Sequence, residues 1–304
     1  MKQTSTQPPM IIFQLVLCSC LTLATAIAQP LTSRSATAIS YIERGNNWVA
    51  KGKWEQAMAD YDLAIASDPN LAYGYNNRGV ARWRLKNYEG AVADFNRAIQ
   101  LDPRYAEAYV NRGKARFLMG DLESAINDSA RGIELDPKFA CGWYIRGMAR
   151  ARKGDLNGAL ADFDCAARLN PREPEIYINR GIARLNLYDL DGAISDQTRA
   201  IKLNPDLFFA WNERGAARRM KGDFDGALAD YNQAIALAPH YAQAWADRGL
   251  ARLLQGHEDE AQQDFDRCLE LNKTLKPWLD QRIGEAKRQL ISNPIQHGSK
   301  IKVR

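Results

Sequence analysis

Histidines, cysteines and carboxylates are the side chains that most often do chemistry, and in this 304-residue chain their spacing argues against it. His240, His257 and His297 lie far apart, and none has a metal-ligating neighbour one helical turn away. Cys18 and Cys20 fall in an N-terminal apolar run. The spacings of Cys141, Cys165 and Cys268 match no metal pattern, so these three read as small buried or half-buried side chains. The chain has no Gly-x-Ser-x-Gly elbow, no phosphate-cradling glycine loop and no His-Glu-x-x-His. No catalytic residue, metal or cofactor is expected, and the chain is not expected to be an enzyme.

Charge is organised in another way. Arginine precedes glycine at Arg44, Arg78, Arg112, Arg146, Arg180, Arg214 and Arg248, and aspartate stands sixteen residues later at Asp60, Asp94, Asp128, Asp162, Asp196, Asp230 and Asp264. Matched numbers of opposite charge point to structural ion pairs rather than to a track for an acidic ligand. A third ladder, Arg82, Arg116, Arg150, Arg184, Arg218 and Arg252, has no such matched acid. It is the better candidate for touching a ligand, although arginine stems also pack over aromatics.

The elements that carry these ladders repeat every 34 residues. Proline recurs at Pro69, Pro103, Pro137, Pro171, Pro205 and Pro239, and alanine at Ala57, Ala91, Ala125, Ala159, Ala193, Ala227 and Ala261. In residues 72–105, Tyr75, Gly79, Arg82 and Trp83 fall at helical spacing, and Tyr88, Ala91, Phe95 and Ala98 do so again. Each unit is therefore two helices. Gly120-Asp121, Gly154-Asp155 and Gly222-Asp223 mark the break: glycine takes the left-handed turn and aspartate caps the second helix. The residue before proline avoids helical geometry, which ends that helix.

Aromatic, Gly, Ala, aromatic, Ala and Pro in this order resemble the tetratricopeptide repeat. The resemblance covers 38–275 in seven units, 38–71, 72–105, 106–139, 140–173, 174–207, 208–241 and 242–275. It implies an all-α solenoid, a right-handed superhelix of antiparallel helix pairs whose first helices line a concave groove. Stacked repeats need their ends covered. Residues 276–291 supply a capping helix, with Trp278, Leu279, Ile283, Ala286 and Leu290 on one face, before a basic tail at 292–304. Two units depart from the pattern: the second-helix aromatic becomes Ser129 and Gln197, Gly132 replaces alanine, and Tyr188 replaces the turn glycine.

By register, the resemblance places first-helix positions in the groove. In the second unit these are Tyr73, Asn76, Val80, Trp83 and Arg84, and in the third Glu107, Val110, Lys114, Phe117 and Leu118. The fourth contributes Cys141, Tyr144, Met148, Ala151 and Arg152; the fifth Glu175, Ile178, Ile182, Leu185 and Asn186; the sixth Phe209, Asn212, Ala216, Arg219 and Met220. An exposed apolar strip of this kind marks a binding surface, while packing between neighbouring first helices accounts for part of it. Family members that grip a chaperone's C-terminal carboxylate use Lys and Asn at two of these positions. The corresponding pairs here, Asn76/Val80, Val110/Lys114 and Tyr144/Met148, lack that clamp.

Residues 1–42 contain no acid. Lys2, the apolar run 10–28 and the Ala26-Ile27-Ala28 ending read as a secretory signal at 1–28, followed by a linker at 29–37. An uncleaved membrane anchor is the alternative. Leu17-Cys18-Ser19-Cys20 also resembles a lipoprotein processing site, although the apolar run continues past Cys20. An exported, periplasmic or cell-envelope protein is expected. Net charge is +5 with arginines spread along the chain, which does not suit a nucleic-acid partner. The expected function is an adaptor that binds a protein or peptide in its groove. A self-associating envelope scaffold and a regulatory subunit of an envelope enzyme are the alternatives.

Overall fold

The structure is a computed structural model that describes residues 33–292. The expected signal segment, residues 29–32 of the expected linker and residues 293–304 of the tail lie outside the described residues. Those described are helices joined by short turns, in two packing units, 33–171 and 172–292.

The first unit holds four helix pairs: α1 (Ser33–Ala50) with α2 (Trp54–Ser67), α3 (Ala72–Arg84) with α4 (Tyr88–Leu101), α5 (Ala106–Met119) with α6 (Leu122–Leu135), and α7 (Ala140–Lys153) with α8 (Leu156–Leu169). Helix α1 begins within the stretch expected as linker, where the Ser35 hydroxyl donates to Asp68 Oδ2 at 2.8 Å and ties the helix start to the end of α2. The second unit holds α9 (Pro174–Asn186) with α10 (Leu190–Leu203), α11 (Phe208–Lys221) with α12 (Phe224–Leu237), and α13 (Ala242–Leu254) with α14 (Glu258–Leu271). A short 3-10 turn at Lys273–Leu275 then leads into α15 (Lys276–Ser292). Within each unit, every helix packs on its partner and on the next pair.

Sequence chemistry explains the breaks. Gly120, Gly154 and Gly222 close first helices with φ of 84°, 91° and 87°, a region that costs other residues about 1–2 kcal/mol. Asp121, Asp155 and Asp223 then accept backbone N–H bonds at the start of α6, α8 and α12. Lys86 and Tyr188 hold the same turn with φ of 63° and 61° and no glycine. At the other end, Asp68, Asp102 and Asp136, each before a proline, are extended.

The repeat glycine lets the paired helices approach. A Cβ on Gly79 would lie 2.6 Å from the Phe95 ring, so glycine and the second-helix aromatic are one packing device. Where Gln197 replaces the ring, its Nε2 donates to the Ile178 carbonyl at 3.1 Å, while its buried Oε1 has no partner. Ser129 is also fully buried with an unpartnered hydroxyl. Gly132 has a different reason: Val110 Cγ2 occupies the space an alanine methyl would take, 2.4 Å from its Cβ position. Helix α15 closes the second unit by burying Leu279 and Ala286, with Trp278, Ile283 and Leu290 packed beside them, on the cluster around Leu250 and Phe265.

Candidate partner-binding face

Both arginine ladders converge on one carboxylate per repeat. In α3 and α4, Arg78 donates from Nε at 3.0 Å and Nη2 at 2.6 Å to the two oxygens of the buried Asp94. Arg82, one turn on, reaches Asp94 Oδ2 at 2.9 Å. The same double pairing recurs at Asp128, Asp162, Asp196, Asp230 and Asp264. The third ladder is therefore not left open for a ligand. Residues i and i+4 share a helix face, so the aspartate that meets the first arginine also meets the second. In the first repeat the position of the second arginine is Trp48, so among the described residues Asp60 pairs with Arg44 alone, which holds that carboxyl below its usual range. Each first-ladder arginine also lies over an aromatic one turn earlier, as Arg146 does over Trp143 at 4.9 Å.

The first-helix face is more deeply packed than an apolar groove would be. Val110, Phe117, Tyr144 and Met148 in the first unit are buried, as are Ile178, Ile182 and Leu185 in the second. Successive first helices touch directly, α3 with α5, α5 with α7, α9 with α11 and α11 with α13, and close over these side chains. The expected strip is a core seam along much of its length. Trp83 is buried against Phe95 and Ala115, and Asn76 is buried and accepts a bond from Asn111 at 3.1 Å. Lys114 is buried too, its Nζ 4.3 Å from the centre of the Trp83 ring.

Accessible surface on this face belongs to fewer residues. In the first unit Tyr73, Val80 and Arg84 are half-buried and Arg152 is exposed. Tyr73 meets Tyr105 edge-on at 5.2 Å, and Arg152 lies over Phe117. In the second unit Phe209 and Arg219 are half-buried. Phe209 stacks among Phe208 and Tyr241, while Arg219 Nε reaches the Tyr231 hydroxyl at 3.4 Å. Asn212 is buried and donates to Asp247 at 3.2 Å, leaving its Oδ1 unpartnered.

Two carboxyls beside this face are unusual. Burial raises Glu107 to about 7 against hydrogen bonds from Asn111 and Asn76, and raises Glu213 to about 7 with help from the Asp247 charge. Sequence reasoning missed Glu213, whose register position is not a groove position. Among the described residues no cluster of three or more His, Cys, Asp or Glu is placed to hold a metal ion, and no helix is long and apolar enough to cross a membrane.

Family models described as TPR repeat match residues 45–86, 84–120 and 215–256, and others described as tetratricopeptide repeat match 144–207, 106–139 and 242–275. No curated protein sequence matches the chain. Among solved structures, a tetratricopeptide repeat protein from Parabacteroides merdae superposes with a TM-score of 0.60 at 19% identity, covering 83% of this chain and 99% of the other. YrrB, described as a TPR protein with an unusual peptide-binding site, gives 0.53 at 21% identity, covering 64% and 97%. The hetero-tetramer Cut9–Hcn1 of the APC/C gives 0.65 at 16% identity, covering 83% of this chain and 53% of the matched one. At these identities the likeness is one of fold.

Proposed function

Because the chain belongs to the tetratricopeptide-repeat family, we propose that it holds a peptide or extended protein segment against the first-helix face of its repeats, as a non-catalytic adaptor. Folds of this family generally mediate protein or peptide interactions. The observation that carries the groove reading is the row of first-helix side chains left open between buried neighbours: Tyr73, Val80, Arg84 and Arg152 in the first unit. The helices that carry them are already packed, so only the partner loses conformational freedom on binding. YrrB, of similar fold, is a precedent for peptide binding on such a scaffold.

Affinity capture with wild type beside a Tyr73→Ser/Arg152→Glu variant tests this. A protein retained by the first and lost by the second supports the reading, and equal retention by both overturns it. Trp83→Ala and Tyr144→Ala are unsuitable, because both rings are buried and their loss tests stability. Export to the periplasm or cell envelope belongs to the same proposal, supported by Lys2, the apolar run 10–28 and Ala26-Ile27-Ala28. Cell fractionation that leaves a full-length chain in the cytoplasm would contradict it.

A further inference from the structure

Arg84 differs from the ladder arginines. They all reach a carboxylate, whereas Arg84 has no acidic partner among the described residues. Its guanidinium carbon lies 5.3 Å from the centre of the Trp54 ring and 5.1 Å from that of Trp83. Its terminal nitrogens make no hydrogen bond, its side chain is half-buried, and its Nε is sealed with no acceptor. Trp83, itself 7% exposed, also has its indole N–H buried without an acceptor. A second cation, Lys114, lies over the same indole at 4.3 Å. One turn after Lys114 on α5, Phe117 carries Arg152 on its ring at 5.6 Å and takes a bond from it at its carbonyl, 3.4 Å away.

Three cations thus follow one another across α3, α5 and α7, in the last turns of α3 and α7 and nearer the middle of α5, linked through Trp83 and Phe117. Glu107, the carboxyl on the same register, stands seven residues before Lys114, about 10 Å along α5. Helix C-termini favour cations by their own dipole, so position alone accounts for a cation at the ends of α3 and α7; it does not account for a guanidinium, that of Arg84, held between two indoles with no acceptor. Unpaired guanidinium nitrogens flanked by two indoles suit a planar carboxylate, held by charge-assisted bonds.

We propose that this track binds an acidic peptide segment, one carboxylate seated on Arg84 between Trp54 and Trp83 and a second on Arg152. The inference rests on the first-helix-face reading and adds the chemistry of the partner. With a net charge of +5, a second copy of this chain is a poor occupant.

A random dodecapeptide library displayed on phage, selected against the full chain at 50 mM salt, tests it. Retained peptides are expected to be rich in Asp and Glu and to lose affinity several-fold at 300 mM salt. Arg84→Gln is expected to weaken the best of them at least ten-fold, with Arg84→Lys weakening it less, and a matching thermal midpoint for the variants showing that the fold is intact. Acidic peptides bound equally by wild type and Arg84→Gln would overturn the site. Neutral or basic peptides that bind wild type and are lost by Tyr73→Ser would overturn the acidic specificity and leave the face reading standing. Failure to enrich any peptide would overturn both.

Discussion

Single residues carry most of the specificity of this fold. Asp162 accepts from two arginines at 2.7–2.8 Å in a nearly closed site, so Asp162→Ala strands two partly buried guanidinium groups and is expected to cost about 3 kcal/mol. Lys153→Ala, which removes the exposed pair with Glu123, is expected to cost under about 1 kcal/mol. Urea denaturation of the two variants checks the contrast, and equal losses would contradict it. Tyr188 holds a left-handed turn that Gly120 and Gly154 fill in other repeats. Tyr188→Gly is expected to stabilise the second unit by about 0.5–1 kcal/mol, read as a raised urea midpoint. Glu107 and Glu213 bind protons more tightly in the folded chain, at about 7 against 4.5. Their contribution to stability therefore falls as pH rises from about 4.5 to 7. Asp60, lowered by Arg44, acts only below its ordinary 3.8 and does not enter this window. The thermal midpoint is expected to be higher at pH 5.5 than at pH 8, and the Glu107→Gln/Glu213→Gln variant to show a flatter profile. An unchanged slope would contradict the assignment.

At the scale of elements, the helices and their breaks were legible in the sequence because each boundary has a chemical cause within a few residues. Glycine, aspartate and proline act locally. What the sequence hid is direction around the helix axis. Arg82 and Arg84 look alike in the chain, yet two residues turn a helix by about 200°, so Arg82 meets Asp94 while Arg84 lies between two indoles. The depth of the seam was hidden for the same reason, since burial of Val110 and Met148 depends on how closely successive first helices approach. Buried polar groups without partners in α6 and α10, at Ser129 and Gln197, replace rings that fill the gap in other repeats. Amides of α6 are expected to exchange with solvent faster than those of α8, and those of α10 faster than those of α12. Equal protection within either pair would show that these units are not softer. Leu279 is the most deeply buried side chain of helix α15, and Leu279→Ala is expected to cost about 2–5 kcal/mol and to expose the cluster around Phe265.

At the scale of the whole molecule, the seven helix pairs of the described residues leave little surface that differs from its equivalents in other repeats. On the proposed reading, binding specificity comes from the few first-helix positions that vary between repeats and stay open. Site-specific photocrosslinking tests this most directly, with a benzophenone side chain placed at Tyr73 on α3 or, as a control, at the exposed Asn127 on second helix α6. With cell-envelope extract, the account predicts a discrete crosslinked protein from position 73 and none from 127. Crosslinks from 127 alone, or of equal strength from both positions, would contradict a partner held on the first-helix face.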